Sequence, residues 1–313
     1  LVTEAGSWGE YEDGILDELL ERKTPVVVVF NKVDLHERPA PVKRLQDLKI
    51  TPVLTAASES RGVLDFRQAL LDNAPPDFID NPTILGDLVN SGDLAVLVVP
   101  IDKEAPRGRL ILPQVQTLRE LLDADIATMV VKERELEYTL RHVLRNPPAL
   151  VVTDSQAFLK VDADVPPEVP LTSFSILFAR HKGDLAEAVR GVRAISRLKD
   201  GSRVLIAEAC SHRPISEDIG RVKLPRWLGS VTGARLEFDV RAGHDFPEDL
   251  TGYDLIIQCG GCMVNRAAIL TRIRRAVAQG VPVTNYGVAI AYLHGILPRA
   301  ILMFPEAMAA WEA

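Results

Sequence analysis

Short apolar runs rich in β-branched residues recur along the chain, and segments of helical spacing separate them. Pro25–Phe30, Pro52–Leu54, Leu94–Val99, Ile126–Val131, Leu150–Val152, Val204–Ala207, Leu255–Ile257 and Val281–Thr284 have the strand character, and Phe174–Phe178 stands in a strand position. Between them, Pro41–Leu48, Val63–Leu71, Leu112–Leu122, Leu136–Leu144, Leu185–Leu198 and Arg266–Gln279 place apolar residues at helical intervals. A continuous apolar run suits a parallel strand buried on both faces. Strand and helix alternating at this spacing favour parallel sheets, hence an α/β fold.

The chain has 313 residues, room for two or three domains of ordinary size. Its net charge of −7 gives no electrostatic case for binding nucleic acid or an anionic membrane. No apolar run approaches the ~20 residues a membrane span needs. No signal peptide is visible and cysteines are few, which suits a reducing cytoplasm. The sequence opens on Leu1 in what reads as a strand end, so a fragment of a longer chain is expected. Pro75-Pro76 marks one boundary, and Pro166-Pro167 with Pro170 a second.

The run Pro25–Phe30 ends in Asn31-Lys32-Val33-Asp34, the NKxD pattern of GTP-binding proteins. A carboxylate at Asp34 can accept from N1–H and the exocyclic amine of guanine, which adenine does not offer. Lys32 can lie along the base plane, and Asn31 can tie the loop together. Downstream, strand Pro52–Leu54 leads into Thr55-Ala56-Ala57-Ser58 and then to Gly62 opening a helix. That is the position of the last GTPase loop, usually Ser-Ala-Lys, where the Ala57 amide would meet guanine O6; Ala56 lacks the usual hydroxyl. No GxxxxGK[ST] phosphate loop occurs anywhere in the sequence, and no DxxG lies upstream of Asn31. Residues 1–76 are therefore expected to form the guanine half of a GTPase. Alone they should not hydrolyse GTP, because that catalysis is phosphate positioning and Mg²⁺.

All three cysteines fall late in the chain, as Cys210-Ser211-His212 and Gln258-Cys259-Gly260-Gly261-Cys262. Thiolates select zinc or iron–sulfur clusters. His212 as fourth ligand would complete a closed Cys₃His zinc site. Three thiolates on a 4Fe–4S cluster would instead leave one iron to exchangeable ligands. The two glycines allow a sharp turn that aims both sulfurs at one ion. A Cys259–Cys262 disulfide beside a buried Cys210 is the plain alternative. Both cysteine segments follow strands, where open α/β sheets bind ligands.

Weaker candidates surround these. His181 and His244 sit in polar stretches and read as solvated. Arg221, Lys223 and Arg226 before Trp227 suit either an anionic partner or a solvated loop, and Glu208 is a minor candidate oxygen ligand. The charged loop 102–109 reads as a connection or a subunit contact.

With these residues in hand, the chain resembles the FeFe-hydrogenase maturation GTPase family over nearly its whole length. Asn31-Lys32-Val33-Asp34 resembles its GTPase domain, and Ala105-Pro106-Arg107-Gly108-Arg109-Leu110-Ile111-Leu112-Pro113-Gln114 its dimerisation domain. Residues 219–227, Cys259-Gly260-Gly261-Cys262-Met263 and Thr284-Asn285-Tyr286-Gly287-Val288-Ala289 resemble its cluster domain. The family pattern is CxH followed by HCxxC; Cys210, His212, Cys259 and Cys262 match it, with Gln258 where a second His is usual. The resemblance implies the C-terminal half of a P-loop GTPase domain at 1–76 and a small βαβ dimerisation domain at 97–170. An α/β iron–sulfur domain would follow at 171–313, with 77–96 as linker. It further implies a homodimer whose 4Fe–4S cluster carries a di-iron precursor, received from radical-SAM maturases and passed to apo FeFe-hydrogenase. GTP with Mg²⁺ would regulate these exchanges. A regulatory GTPase with a structural zinc domain, or a dithiol redox enzyme using Cys259 and Cys262, are the competing readings.

Overall fold

The computed structural model describes residues 1–21, 24–36, 42–74, 82–100, 110–209, 218–243 and 245–313. They form two compact units, Leu1–Pro82 and Thr83–Ala313. The architecture is α/β throughout, with three sheets whose strand pairs are all parallel.

In the first unit, β1 (Val2–Glu4), β2 (Val29–Asn31) and β3 (Val53–Leu54) pair in the order β1-β2-β3. Helices α1 (Glu10–Glu21), α2 (Lys43–Asp47) and α3 (Val63–Asn73) alternate with them. Leu16, Val28, Phe30 and Leu45 pack as its core. The helix expected over Pro41–Leu48 is thus shorter, and Pro41 lies outside the described residues, as do Pro75 and Pro76.

The second unit begins with β4 (Leu94–Val98), α4 (Leu112–Asp123), β5 (Ala127–Val131), β6 (Leu150–Thr153), α5 (Phe158–Asp164) and β7 (Leu171–Ser173). Their sheet runs β5-β4-β6-β7, four strands where the apolar runs indicate three. The expected helix Leu136–Leu144 is a single α-turn, Leu136–Tyr138, passing into a π-helical turn, Thr139–Val143.

One expectation is overturned: Phe174–Phe178 is not a strand but the start of helix α6 (Phe174–Lys182). Phe174, Ile176, Leu177, Phe178 and Ala179 are all buried, so the helix is apolar on most of its circumference and shows no 3.6-residue stripe. A short run of that kind cannot be told from a buried strand by period alone. Ser173 caps it, accepting from the Ile176 N–H at 3.2 Å, so strand β7 passes into α6 without a loop.

The last sheet has the order β11-β10-β8-β9, with β8 (Arg203–Glu208), β9 (Glu237–Ala242), β10 (Leu255–Gln258) and β11 (Val283–Asn285). Around it lie α7 (Leu185–Val192), α8 (Leu224–Thr232), α9 (Arg266–Ala278), α10 (Tyr286–Leu293), α11 (Leu297–Ile301) and α12 (Pro305–Glu312). Helix α7 approaches β11 so closely that a Cβ at Gly191 would lie 2.0 Å from the Val283 carbonyl oxygen. Core side chains from both sheets of this unit form one continuous cluster, including Val96, Val152, Phe178, Val189, Ile206 and Ile257.

Candidate functional site

Chain order and sheet order disagree at one place in the last sheet. After β8 the chain lays β9 on one side, then crosses to lay β10 on the other. The crevice at the C-terminal ends of β8 and β10 is therefore a topological switch point, the usual ligand site of an open parallel sheet. The cysteine segments follow these two strands. Cys259 continues the ladder, its N–H donating to the Ala207 carbonyl at 3.0 Å, and the Ala209 N–H in turn donates to Cys259 Sγ at 3.0 Å. Cys210 and His212 lie outside the described residues.

The loop from Cys259 to Cys262 turns on Gly261. Its φ is +59°, and a Cβ there would meet Ile269 Cδ1 at 2.4 Å, so only glycine fits both the backbone and the space. Cys259 and Cys262 are partly exposed and not joined to each other by a disulfide. Two cations face the loop. The Lys182 ammonium, at the end of α6, donates to the carbonyls of Gly261 (3.3 Å), Cys262 (3.0 Å) and Val264 (3.0 Å). Burial lowers its pKa, while the neighbouring Cys262 acts the other way. The Arg272 guanidinium lies over the Phe246 ring at 5.1 Å and donates to the Gly243 carbonyl. Its pKa is also lowered by burial, with Cys259 opposing. Neither cation has a carboxylate partner among the described residues. Thiols that are partly exposed are accessible to soft metals, which bind cysteine as the thiolate. These two donors fit an iron–sulfur cluster or zinc equally well.

Glu208 behaves otherwise. Its carboxylate, 2% exposed, accepts from Arg221 Nε at 3.2 Å and Nη2 at 2.8 Å. Serving as an oxygen ligand would require breaking that two-pronged pair. Arg221 is thereby spent within the fold, and Lys223 Nζ donates to Gln156 Oε1 at 2.5 Å, so neither is simply a solvated loop cation. His181 is half-buried with its ring edge-on to Phe178, 5.7 Å between centroids. His244 and the loop 102–109 lie outside the described residues.

Three polar atoms of the motif segments also sit at the ends of β10 and β11. Gln258 Oε1, Thr284 Oγ1 and Tyr286 Oη are buried with no hydrogen-bond partner among the described residues. Burial, with the charges of Cys259 and Glu208 adding to it, pushes the Tyr286 pKa well above the usual phenol value.

In the first unit, β2 delivers Asn31 at its end. Asn31 Oδ1 accepts from Thr55 Oγ1 at 3.0 Å and from the Ala57 N–H at 3.1 Å, joining the two loops expected to hold a base. The Ala57 amide is thus engaged by Asn31 here rather than presented outward. Ala56 is fully buried and bridges Arg61, while Asp34 is exposed in the turn that follows Asn31. Lys32 has a left-handed φ of 62° and pairs with Glu4 at 3.1 Å. His36 reaches the same carboxylate, and its hydrogen bond, followed by that of Lys32, holds the Glu4 pKa below the usual value.

Residues 84–183 match the family model of the hydrogen maturase F dimerization domain, and residues 186–303 that of the hydrogen maturase F tetramerization domain. No match is found among curated proteins. Among solved structures the chain is similar to an NtrC family transcriptional regulator from Clostridium acetobutylicum, at 10% identity over 66% of this chain and 98% of that one. The TM-score of 0.22 is too low for that likeness to bear on fold or function. No helix among the described residues is long and apolar enough to cross a membrane.

Proposed function

The chain belongs to the hydrogen maturase F family, and from that premise we propose that it carries a 4Fe–4S cluster on Cys210, Cys259 and Cys262 and delivers a di-iron precursor to apo FeFe-hydrogenase. A role in hydrogenase maturation comes with the family, as does oligomerisation through the two matched domains. The observation that carries the finer reading is the pair of thiols at the switch-point crevice, flanked by Lys182 and Arg272. Such a cluster would supply, at an iron without a thiolate, an exchangeable position for cargo. The chain's own part is to hold thiolates at two strand ends, neutralise their charge and keep Gly261 in its turn. His212 is the candidate fourth ligand.

In the same reading, Asn31, Lys32, Asp34, Ala56 and Ala57 recognise the guanine of GTP, with Asn31 bracing the two loops. Hydrolysis and Mg²⁺ would require a phosphate-binding segment of the GxxxxGK[ST] type, which this sequence does not contain. The division into a GTPase part at 1–76, a dimerisation domain at 97–170 and a cluster domain at 171–313 belongs to the proposal. So do cytoplasmic location and the receipt of cargo from radical-SAM maturases.

The test is transfer. Full-length protein, reconstituted anaerobically and loaded with a synthetic di-iron precursor, is mixed with apo FeFe-hydrogenase and hydrogen evolution is measured. Activation by the loaded wild type but not by Cys259→Ser or Cys262→Ser supports the reading. Equal activation by all three overturns it.

A further inference from the structure

Helix α6 belongs by sequence to the segment matched as the dimerization domain, residues 84–183, yet its last side chain works elsewhere. The Lys182 ammonium gathers the carbonyls of Gly261, Cys262 and Val264, all within the tetramerization match at 186–303. A second cation answers in the opposite direction. Arg266, the first residue of α9, donates through Nη1 to the carbonyls of His181 (2.8 Å) and Gly183 (3.3 Å) at the end of α6. The helix end and the cysteine loop are therefore clasped by two crossed cations, each satisfying carbonyls of the other. Cations suit these positions, because the last turn of a helix and a tight loop both present carbonyls that lack intrinsic partners.

The far end of α6 is fixed as well. Asn285 Nδ2 donates to the Ser175 carbonyl at 3.0 Å, and a Cβ at Gly287 would lie 2.5 Å from Ser175 Cβ. With Ser173 both ending β7 and capping α6, the helix is a nine-residue strut from the edge strand of one sheet to the cysteine loop beside the other. Lys182 is half-buried, lies 5.7 Å from the Phe178 ring centre, and spends its donors on carbonyls rather than on a carboxylate. Its charge is left for whatever anion the loop carries.

We propose that Lys182 is a positioning residue for the metal-binding loop: it fixes the backbone of Cys262 against the end of α6 and sets a positive charge beside the thiolate pair. The geometric half stands on the apo chain; the electrostatic half rests on the reading that Cys259 and Cys262 ligate a cluster. The mechanical consequence is that displacement of the β7–α6 strut moves the Cys262 backbone with it.

The experiment compares full-length wild type, Lys182→Met and Lys182→Arg. In the metal-free state, amide exchange over residues 260–265 is measured, with β4 and β6 amides reporting that the fold is intact. Lys182→Met should raise that exchange rate roughly tenfold or more, the effect of losing charge-assisted hydrogen bonds. Lys182→Arg keeps the donors and charge and should remain within about threefold of wild type. After reconstitution, Lys182→Met should shift the one-electron reduction potential to more negative values, by about 59 mV if reduction is disfavoured tenfold. Unchanged exchange in Lys182→Met, with the fold intact, overturns the positioning role. An unshifted potential in a protein that does bind a cluster overturns the electrostatic half. Wild type that binds no cluster, with a loosened loop in Lys182→Met, contradicts the function proposed above and leaves the clasp standing.

Discussion

Asn31 and Asp34 have different parts in the proposed base-recognition loop. Asn31 is held between Thr55 and the Ala57 amide, whereas Asp34 is exposed and free to meet a ligand. A guanine donor pair left unsatisfied costs about 1–3 kcal/mol. In the full-length protein, Asp34→Ala should therefore weaken GTP by that amount and erase its preference over ATP in a calorimetric titration. Unchanged selectivity would remove the guanine assignment. Tyr286 makes a separate point about pH. Its folded pKa is raised, so the native state retains a proton that the unfolded chain releases near the ordinary phenol pKa of about 10. Stability from this group is intact below about pH 10 and falls as pH rises toward the folded pKa. Tyr286→Phe deletes a buried hydroxyl with no partner among the described residues and should cost little at pH 8. Urea unfolding at pH 8 and pH 11 should show a smaller loss for Tyr286→Phe than for wild type; equal losses would contradict the account.

The strands that read clearly from sequence are those buried on both faces, such as β4 and β8, because their central residues are a continuous apolar run. Strand β9 escapes that reading: at a sheet edge, Glu237, Asp239 and Arg241 alternate with apolar neighbours, as edges that resist pairing do. Helix α6 escapes it for the opposite reason, being apolar nearly all round. The cysteine spacing and the Asn31–Asp34 loop were legible because each sits just beyond a readable strand. Lys182 was not: its role comes from the end of a helix 77 residues before Cys259, and no local pattern records that approach. Packing makes α6 sensitive. Phe178 is 2% exposed, and Phe178→Ala should cost about 3–5 kcal/mol in denaturant unfolding. A cost below 1 kcal/mol would mean that α6 is not the seam between the two sheets. At the turn, Gly261→Ala should cost about 1–3 kcal/mol from its left-handed φ, with contact against Ile269 added, and should loosen the cysteine loop first.

At the scale of the molecule, the sheet β5-β4-β6-β7 leaves β5 at an edge, with Val130 43% exposed, inside the segment matched as a dimerization domain. The three cysteines lie outside that segment. A chain with all three cysteines replaced by serine should still sediment as an oligomer at micromolar concentration. A monomer would transfer the holding of subunits to the part that carries the cysteines. Cluster chemistry is the claim on which the rest depends. Its most direct measurement is iron and sulfide per chain, with electron paramagnetic resonance, after anaerobic reconstitution of wild type and of Cys210→Ser, Cys259→Ser and Cys262→Ser. The account predicts about four irons and a reduced 4Fe–4S signal in wild type, with both diminished or lost in each variant. Full iron retention by any one variant, or stoichiometric zinc in place of iron in the wild type, would contradict it.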